Sequence, residues 1–173
     1  MIEFLDVVDA EDRFIRTEER GQVHRLKLMH RAVHIFLFDH ENRIYLQRRS
    51  WSKDQHPGLW DSSASGHVES GESYPDAARR ELREELGLEL SLEPVLKLPA
   101  AGDSGWEHSF LYVGRMSEKG PLPQPDPGEI IAGRFAGQEE LDRELGLDPA
   151  HFSPPFRLLY STYRKRTQSR EAR

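Results

Sequence analysis

Apolar runs of strand length, separated by charged and turn-forming residues, recur along the chain. Residues 30–39 form a nearly continuous hydrophobic run, typical of a buried strand, whereas residues 44–48 alternate apolar and polar side chains, as a half-buried strand does. Residues 17–28 are ambiguous and are expected to hold a helical turn that leads into the sheet. Further strands, the first two forming a hairpin or a sheet edge, are predicted at 3–9, 13–17, 61–65, 95–100, 106–115 and 129–135.

The helix with the clearest sequence pattern begins after Ser73. Ser73 and Asp76 form an S-x-x-D capping pattern, and Pro75 lies in the first turn, where its missing N–H costs nothing. Gly87 is expected to end the helix in a left-handed conformation. The apolar stripe that faces the core recurs at i, i+4 and i+8, in Ala78, Leu82 and Leu86.

Two loops and two further helices complete the pattern. Residues 50–60 and the proline-rich residues 117–128 are predicted as loops, and 138–145 and 155–170 as helices. Strands and helices mix without strict βαβ alternation, which favours an α/β (α+β) sandwich around a mixed β-sheet. We expect one domain over 1–173, with a hairpin-like extension at its N-terminal end (about 1–28).

Composition narrows the class of protein. The 173 residues are 36% hydrophobic and 31% charged, which fits a soluble globular domain large enough to bury ~70% of its unfolded surface. The absence of cysteine excludes disulfides, thiolate metal sites and a cysteine nucleophile. A net charge of −6 argues against nucleic-acid binding. Without an 18-residue apolar run or a signal-peptide core, we expect a cytoplasmic protein without membrane contact.

Residues 66–88 carry the most informative motif, reading GHVESGESYPDAARRELREELGL. Glu81, Glu84 and Glu85 stand at i, i+3 and i+4, so they share one face of the predicted helix, beside its apolar stripe and half-sheltered. Like charges at this spacing repel by a few tenths of a kcal/mol per pair. A divalent cation converts that repulsion into attraction, and Mg²⁺ takes carboxylate oxygens in phosphate chemistry.

This segment resembles the Nudix box, G-x5-E-x7-R-E-U-x-E-E-x-G-U with U aliphatic, and meets every specified position. The resemblance implies a Nudix-type α/β/α sandwich and a Mg²⁺ or Mn²⁺ site. The implied metal ligands are Glu81, Glu84, Glu85 and the carbonyl of Gly66. The alternative, a solvated helix with an Arg80–Glu84 ion pair, explains the helix but not the spacing back to Gly66 and Glu72.

The implied activity is hydrolysis of a small-molecule diphosphate, in a nucleotide or another phosphorylated metabolite in which a diphosphate is linked to a group X. In the family, Arg80 is expected to pair with Glu72 and to fix the loop on the helix. The metal ions neutralise developing charge on phosphate and activate a water. Many relatives form homodimers, which leaves a homodimer open for this chain, whose oligomeric state the sequence does not specify.

The likeness extends beyond the box. HRAVHIFLFD and LQRRSWSKDQHPGLWDSSASGHV are similar to the isopentenyl-diphosphate isomerase branch of the superfamily. In those isomerases a cysteine precedes the G-H that opens the box, and here Ser65 stands in that place. A hydroxyl is far less acidic than a thiol, so an isomerase would lose its usual acid. We therefore expect a hydrolase, with an isomerase and a non-catalytic diphosphate-binding sensor as alternatives.

Several candidates lie outside the box. The isomerase resemblance implies His30 and His67 as extra metal ligands and Glu107 as general base or ligand, while His24 lies near a further position without aligning cleanly. A packed histidine and a surface carboxylate are the alternatives. Glu129 is a rival base. Glu84 could also serve as base while the other two box glutamates hold the metal.

Basic and aromatic residues near the box are candidates for substrate contacts. Arg48, Arg49 and Lys53 follow a predicted strand and match phosphate-binding positions of family members; a solvated basic turn is the alternative. Three tryptophans could stack on an organic group or simply pack in the core. They are Trp51, Trp60 and Trp106.

Overall fold

Residues 2–171 are described by the structure, a computed structural model. They form nine strands and four α-helices. In chain order these are β1 (Phe4–Val8), β2 (Phe14–Glu19), α1 (Arg20–Arg25), β3 (His30–Phe38), β4 (Ile44–Arg49), β5 (Trp60–Asp61), β6 (Ala64–His67), α2 (Tyr74–Leu86), β7 (Leu92–Leu98), β8 (Glu107–Arg115), β9 (Ile130–Ala136), α3 (Gln138–Leu147) and α4 (Pro154–Glu171).

The main sheet is mixed. Strand β3 runs parallel to β8 along its whole length, and β8 pairs antiparallel with β7. Strands β3 and β4 pair at Phe38 and Ile44, beside their connecting turn. Beyond it β3 pairs with β6, while β4 pairs with β9 and β5. Because β3 and β4 pair with different strands beyond this turn, the strands around β6 are free to line a cavity.

Helices cover both faces of this sheet, because side chains alternate along β3. Val33 and Ile35 pack with Leu82 of α2 in one buried cluster. Phe36 packs with Phe156 of α4 in a second cluster on the other face, with ring centroids 5.7 Å apart. The predicted α/β/α sandwich around a mixed sheet is confirmed.

Helix α2 has the predicted ends. Ser73 is its N-cap and accepts a hydrogen bond from the Asp76 N–H, and Gly87 ends it with φ 64°. The stripe residues Ala78, Leu82 and Leu86 are buried, which fixes the rotation of the helix against the sheet. The box glutamates consequently sit at the boundary between core and cavity.

The N-terminal residues form a separate two-stranded ribbon, β1–β2, followed by α1. Asp12, in the turn of the ribbon, accepts hydrogen bonds from Arg31 Nε (2.7 Å) and Tyr74 Oη (3.0 Å). It also forms an ion pair with Lys97. His108 Nε2 bonds to the Asp9 carbonyl at 2.9 Å. The ribbon is thus tied to the sheet and to α2.

Two expectations differ from the structure. The strand predicted at 61–65 is split into β5 and β6, because the Ser63 N–H bonds to the Ile35 carbonyl and its hydroxyl to the Tyr45 carbonyl, which bends the chain. Gly66 and His67 consequently lie within β6 and not in a loop. Of the helices described, none is both long and apolar enough to span a bilayer.

Candidate active site

A cavity of about 710 Å³ is lined by residues of β3, β4, β5, β6 and β8, by α2 and by the N-terminal segment. Acidic side chains outnumber basic ones on its wall. An anionic ligand in this cavity would be repelled unless cations accompany it. The wall contains every box residue predicted to bind metal.

Glu85 is the most buried of the box carboxylates, with 2% of its surface exposed. Its Oε2 accepts hydrogen bonds from the Ser65 N–H (3.0 Å) and from Gln47 Nε2 (2.8 Å). Among residues 2–171, no donor is bonded to its other oxygen, Oε1, although Glu85 lines the cavity. A buried carboxylate with one oxygen held and one free fits a cation ligand.

The two inward carboxylates disfavour each other's ionisation. Burial and repulsion from Glu81 raise the pKa of Glu85 to about 8. Burial likewise raises the pKa of Glu81, although Arg80 beside it acts in the opposite direction. A divalent cation between these oxygens would remove both penalties.

Arg80 connects the box loop to the helix, as predicted. Its Nε and Nη2 donate to the two oxygens of Glu72, at 3.0 and 2.8 Å, and Nη2 also donates to the His67 carbonyl at 2.9 Å. Its Nη1 contacts Glu81 Oε1 at 2.6 Å and Glu84 Oε2 at 3.2 Å. One guanidinium therefore orients three box carboxylates at once.

The three clustered glutamates are not equivalent, unlike the evenly half-sheltered trio expected from the helical spacing. The side chain of Glu84 is 54% exposed, whereas Glu81 is 12% exposed and Glu85 is buried. The i+3 and i+4 positions straddle the edge of the buried stripe, so only one of them turns inward. Glu84 is the carboxylate with free access to water.

A second cluster combines His67, at a position that the box pattern does not specify, with residues outside the box. His24, His30 and His67 bring ring nitrogens within 4.8 Å of one another. Glu107 Oε1 lies 3.7 Å from His30 Nε2 and 3.6 Å from His67 Nε2. His30 Nδ1 donates to the Leu28 carbonyl at 2.9 Å, which leaves Nε2 as the ring nitrogen that faces the cluster.

The His30 Nε2 atom is buried and has no hydrogen-bond partner within residues 2–171. An orphaned imidazole nitrogen facing two other imidazoles and a carboxylate fits a divalent cation. The structure therefore brings together the two histidines and Glu107 implied by the isomerase resemblance. It adds His24, which the sequence did not align.

Charges in this cluster are strongly coupled. Burial alone would lower the pKa of His67, but the neighbouring carboxylates of Glu107 and Glu3 raise it to about 9. Burial would raise the pKa of Glu107, yet His30 and His67 hold it well below its usual range. Burial and the neighbouring His67 lower the pKa of His24 to about 4. A carboxylate held so firmly ionised is a weak proton acceptor, which favours a ligand role for Glu107 over that of a base.

Two of the three predicted phosphate contacts line the cavity. Arg49 is 12% exposed and bonds to the Gln55 carbonyl at 3.1 Å, and Lys53 forms an ion pair with Glu129. Arg48 lies outside the cavity, because its Nε donates to the Gly58 carbonyl at 2.9 Å and its guanidinium stacks on Trp51. Its predicted phosphate role has no support in this geometry.

None of the three tryptophans lines the cavity. Trp60 packs against the α4 cluster and under the Arg134 guanidinium. Trp51 is 67% exposed and Trp106 is 37% exposed. The sequence left open that these rings stack on a base, but the structure places none of them on the cavity wall.

Sequence reasoning missed three contributors to the site. Glu3 and Arg20 come from the N-terminal segment, which pairs Arg20 with Asp54 at 2.8 Å above the cavity. Gln47 is a fully buried amide in the otherwise apolar start of β4. A polar residue that directly follows Ile, Tyr and Leu in a strand could have been recognised from the sequence as a candidate for the site. The placement of Glu3 and Arg20 was not, because it depends on how the ribbon docks.

The NUDIX domain family matches residues 28–156, which is most of the chain. This range includes the box glutamates and the histidine cluster with Glu107, except for His24. The chain belongs to the Nudix family. The recognition of a Nudix box in 66–88 is therefore confirmed. Enzymes of this family act on diphosphate linkages, so the prediction of a Nudix enzyme holds at that level.

Curated relatives span nearly the same length. The chain is 37% identical over 159 residues to an isopentenyl-diphosphate Delta-isomerase of Serratia proteamaculans, covering 88% of this chain and 87% of the relative. It is 32% identical over 151 residues to a prenyl-diphosphate phosphatase of Methanosarcina mazei, covering 87% and 88%. Isomerase-like and hydrolase-like Nudix proteins are thus similar to this chain to a comparable degree.

A solved structure from Deinococcus radiodurans has the same fold. It superposes with a TM-score of 0.70 and 31% identity, and covers 84% of this chain and 90% of that one. The mixed sheet between two helical layers is therefore a Nudix fold. The similarity supports the fold that holds both clusters.

Proposed function

We propose that this Nudix protein is a Mg²⁺-dependent hydrolase that cleaves a diphosphate linkage in a nucleotide or another small phosphorylated metabolite. The observation that carries the proposal is the pair Glu81 and Glu85. Both carboxylates line the cavity from α2, where burial raises the pKa of each and repulsion from Glu81 adds to the cost of ionising Glu85. A site this unfavourable without a cation is suited to bind one.

The donor set fits a hard divalent cation, Mg²⁺ or Mn²⁺. Glu81, Glu85 and the carbonyl of Gly66 would hold it, and Gln47 with the Ser65 N–H would orient Glu85. When bound, the ion neutralises phosphate charge and lowers the pKa of a water. Arg49 and Lys53, which also line the cavity, would hold the phosphate oxygens.

Proton transfer is assigned to Glu84. Glu84 is the exposed carboxylate of the trio, and Arg80 positions one of its oxygens at 3.2 Å. It would accept the proton of the attacking water, while its two neighbours stay committed to the cation. The predicted roles of Glu107 and Glu129 as base become secondary under this assignment.

The histidine cluster is proposed as a second cation site. His24, His30, His67 and Glu107 would hold that ion, and Glu3 would fix the ring of His67 through its Nδ1 at 3.2 Å. The ion would add positive charge beside the phosphate. This geometry also suits the isomerase alternative, which keeps that alternative open to test.

Ser65 disfavours an isomerase. Its N–H is committed to Glu85, and its hydroxyl occupies the place of the cysteine in the isomerase pattern. A serine hydroxyl is a poor acid for protonating an unactivated alkene. The binder alternative is disfavoured because a sensor has no need of the exposed Glu84 beside two buried ligands.

Product analysis tests the proposal. Purified protein would be incubated with nucleoside di- and triphosphates, nucleotide sugars and prenyl diphosphates, with Mg²⁺, with Mn²⁺ or with EDTA. Metal-dependent release of a monophosphate or of inorganic phosphate supports the hydrolase. Conversion of isopentenyl to dimethylallyl diphosphate supports the isomerase, and tight binding of ligand without turnover supports the sensor.

A further inference from the structure

One buried wall of the cavity is polar, although it lies where a hydrophobic core would usually continue. His34 is 3% exposed and Asp61 is 3% exposed, and both line the cavity. Ser62, behind them, is fully buried. None of the three belongs to the box or to the histidine cluster. Buried polar side chains are costly unless they bind something.

Hydrogen bonds hold these side chains in place and leave some of their hydrogen-bonding capacity unused. His34 Nδ1 bonds to the Ser62 hydroxyl at 2.9 Å, and the Ser62 N–H donates to Asp61 Oδ1 at 2.7 Å. Arg49 Nη1 stands 3.5 Å from Asp61 Oδ2, which is a long contact. Burial lowers the pKa of His34, so its ring is neutral. Its Nε2 has no hydrogen-bond partner among residues 2–171.

Apolar surface is scarce on the same cavity. Within the described residues, the lining side chains that are wholly aliphatic are Ala32 and Pro155, and no Phe, Tyr or Trp ring contributes. A hydrocarbon tail would find little surface to cover and would strip water from His34 and Asp61. A nucleobase would find no aromatic ring of that kind on which to stack.

We propose that the wall formed by His34 and Asp61, with Ser62 holding the His34 ring, recognises hydroxyl groups of the substrate, so that X is a sugar-like group and not a prenyl chain. The inference rests on the proposed function, because it names the group attached to the diphosphate that the site cleaves. A hydroxyl pairs with the free imidazole nitrogen and with the Asp61 carboxylate. A hydrocarbon leaves both unpaired, which is a strong basis for discrimination.

The wild-type protein tests this with three probes, UDP-glucose, UDP and dimethylallyl diphosphate, each assayed with Mg²⁺. We expect kcat/KM for UDP-glucose to exceed that for dimethylallyl diphosphate by about 10²-fold, with UDP lower than UDP-glucose. Equal or faster cleavage of dimethylallyl diphosphate would overturn the inference and leave the hydrolase intact. Cleavage of no diphosphate in the wider panel described above would instead refute the proposed function.

His34→Leu provides the variant. We expect kcat/KM for UDP-glucose to fall ~10-fold or more while that for dimethylallyl diphosphate stays or rises. His108→Leu is the matched control, because His108 is also buried but bonds to the Asp9 carbonyl away from the cavity. It should leave the ratio unchanged.

Ser62→Ala keeps the test decisive if His34→Leu fails to fold. It removes the hydroxyl that holds the His34 ring and retains the cavity wall. The preference for UDP-glucose over dimethylallyl diphosphate should fall several-fold, chiefly through KM. An unchanged preference in either folded variant would show that the wall is structural.

Discussion

Gly66 and Glu81 lie so close that a methyl group on Gly66 would overlap the Glu81 carboxylate. A Cβ built on Gly66 stands 2.0 Å from Glu81 Oε1 and 2.2 Å from its carboxyl carbon. Gly66 lies in β6 and is not among the residues with positive φ, so the glycine is required by space and not by backbone conformation. The glycine that opens the box leaves the room in which a ligand carboxylate sits.

Gly66→Ala should therefore weaken the metal site more than the fold. The colliding atoms are the end of a flexible side chain, which can move aside, so the free energy of unfolding should change by about 1 kcal/mol or less. The displaced Glu81 should raise the Mn²⁺ dissociation constant ~10-fold or more, measured by electron paramagnetic resonance. Gly146→Ala, where an added Cβ meets nothing within 4 Å, is the control.

Glu85→Gln and Glu84→Gln should separate ligand from base. Glu85→Gln should lower kcat by orders of magnitude and raise the Mn²⁺ dissociation constant, with little loss of fold because it removes a charge from a repelling pair. Glu84→Gln should lower kcat by about 10²-fold with Mn²⁺ binding nearly intact. Equal effects of both substitutions on Mn²⁺ binding would refute the assignment of Glu84 as base.

Metal-free protein should become less stable relative to Glu85→Gln as pH rises. The pKa of Glu85 is about 8 in the fold, against an ordinary value of about 4.3. Between these values the folded state retains a proton that the unfolded state has released, so each pH unit costs at most ~1.4 kcal/mol. Urea unfolding with EDTA at about pH 5.5, 6.5 and 7.5 measures this. A difference independent of pH would show that Glu85 is ionised in the fold.

Asp12→Asn should release the N-terminal ribbon. Burial would raise the pKa of Asp12, but hydrogen bonds from Lys97, Arg31 and Tyr74 lower it. Its contribution is therefore complete above its unfolded pKa and is lost as pH falls through the folded one. Asn tolerates the φ of 62° at this position, so the substitution removes charge alone.

We expect Asp12→Asn to cost about 1–3 kcal/mol at neutral pH and less near pH 3. Hydrogen exchange should show faster opening of β1 and β2. Asp103→Asn, a change in an exposed carboxylate of the 3₁₀ turn before β8, is a charge-matched control. An equal cost at both pH values would mean that the ion pairs do not stabilise the ribbon.

The box and the sandwich could be predicted from local signals. Ser73, Gly87 and the apolar stripe specify α2 without reference to the rest of the chain, and the box spacing fixes which carboxylates meet. The inequality of Glu81 and Glu84 could not be predicted, because it depends on the rotation of α2 against the sheet.

Other parts of the site could not be predicted because they depend on contacts between distant parts of the chain. His24 joins His30 and His67 from α1, which packs against the ribbon through Val23, and no local pattern encodes that long-range placement. Arg48 was expected at the phosphate because it matches a phosphate-binding position of family members, but the Gly58 carbonyl and Trp51 hold it outside. No local pattern distinguishes His34 from a packed histidine, and its place on the cavity wall follows from the pairing of β3 and β6.

Hydrolysis in ¹⁸O-labelled water tests the central claim most directly. Wild-type protein and Glu85→Gln would be incubated with a cleaved diphosphate and Mg²⁺, and products would be examined by ³¹P nuclear magnetic resonance. The account predicts an ¹⁸O-shifted phosphate resonance from the wild type that EDTA abolishes and that Glu85→Gln reduces by orders of magnitude. Label incorporation that is unaffected by EDTA, or equal in the two proteins, would contradict it.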